Sequence, residues 1–188
     1  MKKLFPILII IFSQVSGYTQ TAIDTLVLEK VNAFRSEYGL LPLAFDINLQ
    51  CVASNQANYC AKVGCACHDQ YFEVDGIPAE PDFEKRFLVC GSDTANAKVI
   101  MMEILAIVID TTSDGSESME SIANAVVTGW KNSPEHRDAM LIRQITRVGV
   151  AHSLGDKLIE YIGMDENWED VFNISYGKAY CFSLNARE

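Results

Sequence analysis

Apolar side chains return at helical spacing through Ile23, Leu26, Val27, Val31, Phe34 and Tyr38, with polar residues between them and Gly39 where such a helix would stop. This pattern predicts a core-facing helix. Leu40-Leu41-Pro42-Leu43 reads as an extended link, after which Asp46 is placed to cap a second helix with Leu49, Val52, Ala53, Ala57 and Cys60 on one face and Gly64 at its end. From Cys65 to about Asp93 the periodicity is lost, Pro78 and Pro81 interrupt the chain, and only a short helix near Phe83 to Phe87 is predicted. Val99 to Ile109 is apolar except for Glu103, which predicts a buried strand or a short buried helix carrying one carboxylate. A lone buried carboxylate costs several kcal/mol or gives up its charge, so a histidine or arginine partner is expected for Glu103.

Asp114-Gly115-Ser116 reads as a turn, and Met119, Ile122, Ala123, Val126, Val127 and Trp130 mark an amphipathic helix with Glu117 and Glu120 near its start and Lys131 at its end. Pro134 cannot continue that helix but suits the first turn of a new one. Ser133 is expected to cap the new helix, with Glu135 in its first turn and His136 projecting from the same turn. The corner therefore holds a histidine on rigid backbone. Beyond it, Ile145 to Ser153 and Leu158 to Met164 read as strands joined by a Gly155-Asp156 hairpin turn, and a last strand is expected from Gly177 to Leu184. Helices followed by a strand, a helix and a closing set of strands imply an α+β fold, with helices packed over a central, mostly antiparallel sheet.

Composition narrows the setting. A chain of 188 residues that is 49% hydrophobic can bury one sizeable core, and one domain is expected. Met1-Lys2-Lys3 followed by the apolar run Leu4 to Phe12 has the form of a secretory leader, with Val15-Ser16-Gly17 as its cleavage site. The expected organisation is a signal peptide over 1–17 and a single domain over 22–185, exported to the periplasm or the medium. The run is too short to span a bilayer comfortably, so no transmembrane span is expected in the mature chain. The leader carries two lysines and no acid, so its removal takes the formal charge from -10 to -12. That balance excludes nucleic acid as a partner and disfavours anionic membrane surfaces.

Six cysteines in an exported chain can pair, with 15 possible connectivities if all do. Cys65-x-Cys67-His68 has the residue types of a metal site, but structural zinc pairs keep two to four residues between ligands and need a second pair. Disulfides are the expected use. Gly-x-Ser-x-Gly, His-Glu-x-x-His and a phosphate-binding glycine loop are all absent, which leaves no standard hydrolase or nucleotide-binding framework. Ser133 lies three residues before His136, and capping explains it more simply than nucleophilic chemistry. Asp165, Glu166, Glu169 and Asp170 lack the spacing of an EF-hand loop and read as a solvated surface. His152 falls on a strand and is expected to be exposed or satisfied, while Trp130 is expected in the core.

Several motifs in order resemble the CAP superfamily, the cysteine-rich secretory, antigen 5 and pathogenesis-related proteins, in its bacterial SCP-like branch. They are Val31-Asn32-Ala33-Phe34-Arg35 with Gly39-Leu40-Leu41-Pro42-Leu43 and Asp46-x-x-Leu49, then Ala53, Ala57 and His68. Met102-Glu103-Ile104-Leu105-Ala106 follows, and then Trp130-x-x-Ser133-Pro134-x-His136-Arg137-x-x-Met140-Leu141 with Val148-Gly149-Val150. The resemblance implies a three-layer α-β-α sandwich with a large cleft where two histidines and two acids converge. Residue by residue, His68, Glu103 and His136 match three of the four. The position of the fourth acid is Ser133 here, with Glu135 nearby, and Ile104 replaces a usual asparagine.

The resemblance implies binding of a small apolar, lipid or peptide ligand, or of a metal, since family members have been associated with lipid binding, signalling and, in a few cases, proteolysis. His68 and His136 can hold zinc or another divalent metal, with Glu103 or water completing the shell, or the three residues can satisfy one another by hydrogen bonds without a metal. Two further functions remain open. One is a metal-assisted hydrolase of peptides or cell-envelope material with Glu103 as general base, and the other is a disulfide-stapled interaction module. The chain is expected to be a monomer.

Overall fold

The computed structural model describes residues 20–188 apart from residues 72, 75, 78, 81–82, 92–99, 111–116 and 165–169; the side chains of residues 83 and 157–177 are likewise outside the description. The leader, the Asp114-Gly115-Ser116 turn, and Asp165, Glu166 and Glu169 thus lie outside the described residues.

The order of elements is α1 (Ala22–Glu37), β1 (Ala44–Phe45), α2 (Ile47–Val63), α3 (Phe83–Val89), β2 (Met101–Ile109), α4 (Met119–Asn132), α5 (Pro134–Met140), β3 (Arg147–Met164) and β4 (Asp170–Arg187). Local chemistry sets the helix ends. Thr21 and Asp24 form a reciprocal capping box at the start of α1. The Asp46 carboxylate accepts from the Asn48 and Leu49 amides at the start of α2, and Gly64 closes that helix in the left-handed conformation, at φ 79°.

The four strands make one sheet in the order β1-β3-β4-β2, with β3–β4 and β4–β2 antiparallel and β1–β3 parallel. β4 is buried on both faces because its residues alternate between two cores. Phe182, Leu184 and Ala186 join α1 and α4 in the main core around Val27, Val31, Ile122, Val126 and Trp130. Cys181 faces the other way, sharing a cluster with Cys60 and Ala61 of α2 and Leu105 of β2. Helices on both faces of the sheet give the three-layer α-β-α sandwich.

The α2 layer sits unusually close to the sheet because small residues line the seam. Ala53 and Ala57 pack on Ala151, and Gly149 lies directly beneath the backbone of Leu49 and Gln50. The Gln50 side chain then accepts from the Val150 amide at 3.1 Å.

Three sequence expectations are corrected. Gly155-Asp156 is not a hairpin turn, since β3 runs unbroken from Arg147 to Met164 with a register shift between Gly155 and Lys157. Gly155 is there for close approach: a Cβ on it would stand 2.7 Å from the Ala61 carbonyl oxygen of α2. The last strand starts at Asp170 rather than Gly177, because this long β3 supplies pairing partners as far as Met164↔Asp170. Ser133 occupies the cap position of α5 but makes no side-chain cap hydrogen bond. Its backbone serves both helices of the corner, donating to Gly129 O at 3.1 Å and accepting from the Arg137 amide at 2.9 Å, which fixes the residue without its hydroxyl. No helix among the described residues is long and apolar enough to cross a membrane.

Candidate functional site

Glu103 is the centre of the site, and its position follows from strand alternation on β2, the edge strand. Met102 and Ile104 point into the main core, so Glu103 points to the opposite face, where α2 and α3 lie. On that face the register places Gly149, Asn185 and Glu103 in one row across β3, β4 and β2. Asn185 therefore reaches its cross-strand neighbour, and its Nδ2 donates to Glu103 Oε2 at 2.9 Å.

The other oxygen has two partners. Arg86 of α3 donates from Nη2 to Glu103 Oε1 at 3.3 Å, and His68 Nδ1 stands 3.0 Å from the same oxygen. Both side chains of the Arg86–Glu103 pair are almost fully buried, at 5% and 3% exposure, so each needs the other to remain charged there. The partner expected for Glu103 is thus both an arginine and a histidine.

Two devices hold these partners in place. The Cys51–Cys90 disulfide staples α2 to the end of α3 and so fixes the helix that carries Arg86. Gln56, fully buried on α2, accepts from Arg86 Nη1 and from Gln70 Nε2, and donates to Cys67 O. This one side chain ties α3 and the segment carrying His68 to the same helix. Cys65 and Cys67 are bonded to each other, which removes their thiols from metal ligation.

His136 arrives from the far side of the edge strand, on the first turn of α5. Two contacts place that helix. Trp130 is in the core as expected, and its indole N–H donates to Leu105 O of β2 at 2.8 Å. Arg35, fully buried on α1, donates to Met140 O at 2.6 Å, to Ile142 O at 3.0 Å, and to the carbonyls of Leu41 and Ile145. A buried guanidinium thus closes the carboxyl end of α5.

Burial lowers the His136 pKa below its ordinary value and the nearby His68 lowers it further, against a smaller upward pull from Glu135. The two imidazoles are therefore close enough to sense each other's charge, and the half-buried His136 favours its neutral form. Glu135 is exposed and interacts with His136 through charge alone. A cavity of about 330 Å3 opens beside His68 and Glu103, lined also by Asp69, Arg86, Met101 and Met102.

Of the expected triad, His68 and Glu103 are in contact and line one cavity, whereas His136 stands on α5 outside that lining and is linked to His68 through charge. Arg86, Asn185 and Gln56 escaped the sequence reading. Arg86 sits in the aperiodic segment, and Asn185 becomes a neighbour of Glu103 only once the β2–β4 register is known. Asn185 also lies just beyond the last strand expected from the sequence, Gly177 to Leu184. His152 is satisfied, with Nδ1 2.8 Å from Asp24 Oδ1 and its ring stacked on Phe182.

The Glu103 contact occupies His68 Nδ1 and leaves Nε2 as the ring nitrogen outside it, while burial biases His136 toward its neutral form. Among the described residues no group of three or more His, Cys, Asp and Glu side chains has the geometry to hold a metal ion.

The fold and sequence define a family. Residues 28–164 match the family model described as the cysteine-rich secretory protein family, or CAP, and the chain belongs to that family. Solved structures agree on the fold. An outer surface protein from Borrelia burgdorferi superimposes with a TM-score of 0.54 at 15% identity, covering 90% of this chain and 96% of that one. An extracellular protein containing an SCP domain from Bacillus anthracis gives a TM-score of 0.52 at 18% identity, covering 86% of this chain and 39% of that one. No curated protein matches the sequence.

Proposed function

We propose that this is an exported CAP-domain binding protein whose cleft beside β2 takes a small ligand with an apolar body, or a divalent cation, at the His68–His136 pair. The observation that supports this reading is the contact of His68 with a buried, fully partnered Glu103 beside a cavity that Met101 helps to line, with the charge of His68 felt at His136. The His68 ring offers a polar end, and Met101, on the same face of β2 as Glu103, offers apolar surface at the other. Export is supported by the leader-like 1–17 stretch and by the extracellular and outer-surface descriptions of the two similar structures.

Hydrolysis has less support. A general base must be free to take a proton from water, and both Glu103 oxygens already accept from Arg86, Asn185 and His68.

The test is calorimetric titration of the mature protein with zinc, and separately displacement of a fluorescent fatty acid, each beside His68→Ala and His136→Ala. Binding of one probe that weakens by about tenfold or more in both variants is expected. Binding that survives both substitutions, with the fold intact by circular dichroism, would overturn the cleft reading and favour a disulfide-stapled interaction module.

A further inference from the structure

Four of the six cysteines lie in sequence from the surface of the protein to its core. Cys65 and Cys67 are bonded to each other in a half-exposed loop, two residues apart. Cys60 lies in the last turn of α2, buried as a free thiol, with its sulfur 3.6 Å from the Cys67 carbonyl oxygen and 3.7 Å from Gln56 Nε2. Cys181 on β4 is the second buried free thiol, and it shares the cluster of Cys60, Ala61 and Leu105. Cys60 therefore has a disulfide-bearing segment on one side and a second thiol on the other.

Burial pushes the Cys60 thiol up to about 11 and the Cys181 thiol up to about 12, the latter raised further by Cys60 itself. Both stay protonated near neutral pH and are shielded from outside reagents. The loop disulfide is the neighbour they can react with. Exposed disulfides are the more oxidising and exchangeable ones, whereas two thiols held together inside a core meet at high effective concentration. A link from Cys60 to Cys181 also closes a loop of 181 − 60 = 121 residues, against two for Cys65–Cys67, so it constrains the unfolded chain far more.

We propose that Cys60, Cys65, Cys67 and Cys181 form an internal thiol–disulfide relay, in which the loop disulfide oxidises the buried pair and leaves a Cys60–Cys181 cross-link between α2 and β4. The Cys60 thiol gives up its proton as it attacks Cys67 Sγ, forming a Cys60–Cys67 bond and breaking Cys65–Cys67, and the proton passes to the departing Cys65 sulfur. The Cys181 thiol likewise gives up its proton as it attacks Cys60 Sγ, and the departing Cys67 sulfur takes that proton. The two protons lost by the buried thiols end on Cys65 and Cys67, and the two electrons taken from the buried pair reduce the loop disulfide. No outside oxidant is consumed. The product carries its reactive dithiol beside His68, where a molecule containing a disulfide can reach it.

The test takes the mature protein with two free thiols per chain, a count checked by thiol titration, and lets it equilibrate under argon with no added reductant. Acid quenching, alkylation in denaturant and non-reducing peptide mapping then locate the free pair. The relay predicts alkyl groups on Cys65 and Cys67 and a linked Cys60–Cys181 peptide. Alkylation of any other pair overturns it. In Cys181→Ser the second step is blocked, so a Cys60–Cys67 link with label on Cys65 is expected, while an intact Cys65–Cys67 link with label on Cys60 refutes Cys60 as the nucleophile.

Discussion

The close approach of Gly149 to α2 can be tested directly. An alanine at position 149 would put its Cβ against Leu49 C, Leu49 O and Gln50 N, well inside van der Waals contact. All three are backbone atoms of α2, so no side-chain rotation relieves the clash and the helix itself must lift from β3. Overpacking that side chains can absorb costs about 1–3 kcal/mol, and displacing a stapled helix should cost at least the upper figure, about 3 kcal/mol. For a domain of this size that lowers Tm by roughly 6–12 °C. Gly129→Ala is the matched control, because Gly129 lies inside α4 with no atom within 4 Å of an added Cβ. Helix propensity there favours alanine by about 0.8–1 kcal/mol, so this variant should be the more stable one. Urea and thermal melts of both variants beside wild type measure the two effects with opposite signs. A Gly149→Ala protein within about 1 kcal/mol of wild type would refute the tight α2–β3 seam as the element that sets the height of the site.

Three further outcomes follow from contacts at the site. Glu103→Leu leaves the buried Arg86 charge without its carboxylate and should cost about 3–5 kcal/mol in urea melts, while Glu103→Gln, which keeps the shape and the Asn185 neighbour, should cost clearly less. Arg35→Met strands the carbonyls of Leu41, Met140, Ile142 and Ile145; a loss of about 3 kcal/mol or more is expected, with faster amide exchange across α5, and unchanged exchange there would remove Arg35 as its anchor. The lowered pKa of His136 means that the unfolded chain takes up its proton first as pH falls. The His136 contribution is therefore constant above about pH 6.5 and becomes destabilising between there and its folded pKa, so the Tm of wild type minus that of His136→Gln should grow more negative from pH 7.5 to about pH 5.5. A difference that does not change with pH would contradict the buried, neutral imidazole.

Much of this architecture is legible before any coordinates, because helix ends carry their own chemistry. Asp46, Gly64 and Pro134 mark boundaries that local hydrogen bonding or ring geometry enforces, and the apolar run around Glu103 announces a buried acid in need of a partner. What is not legible depends on packing between distant segments. Gly155 has the composition of a turn, yet it is a glycine because Ala61 of α2 passes over it, and nothing local distinguishes those two uses. The same holds for Arg86 and Asn185. One comes from a segment without periodicity and the other from a strand whose register is fixed only by pairing, so neither could be attached to Glu103 by spacing along the chain.

The position of β4 bears on how the molecule comes into being. It is the last strand in chain order, yet it lies inside the sheet, with β3 on one edge and β2 on the other. A growing chain that has not reached Asp170 has no common template for β2 and β3, and Glu103 lacks the Asn185 that faces it. The site therefore waits on β4: only when its eighteen residues pair with both β2 and β3 do the distant segments that build the cleft share one sheet.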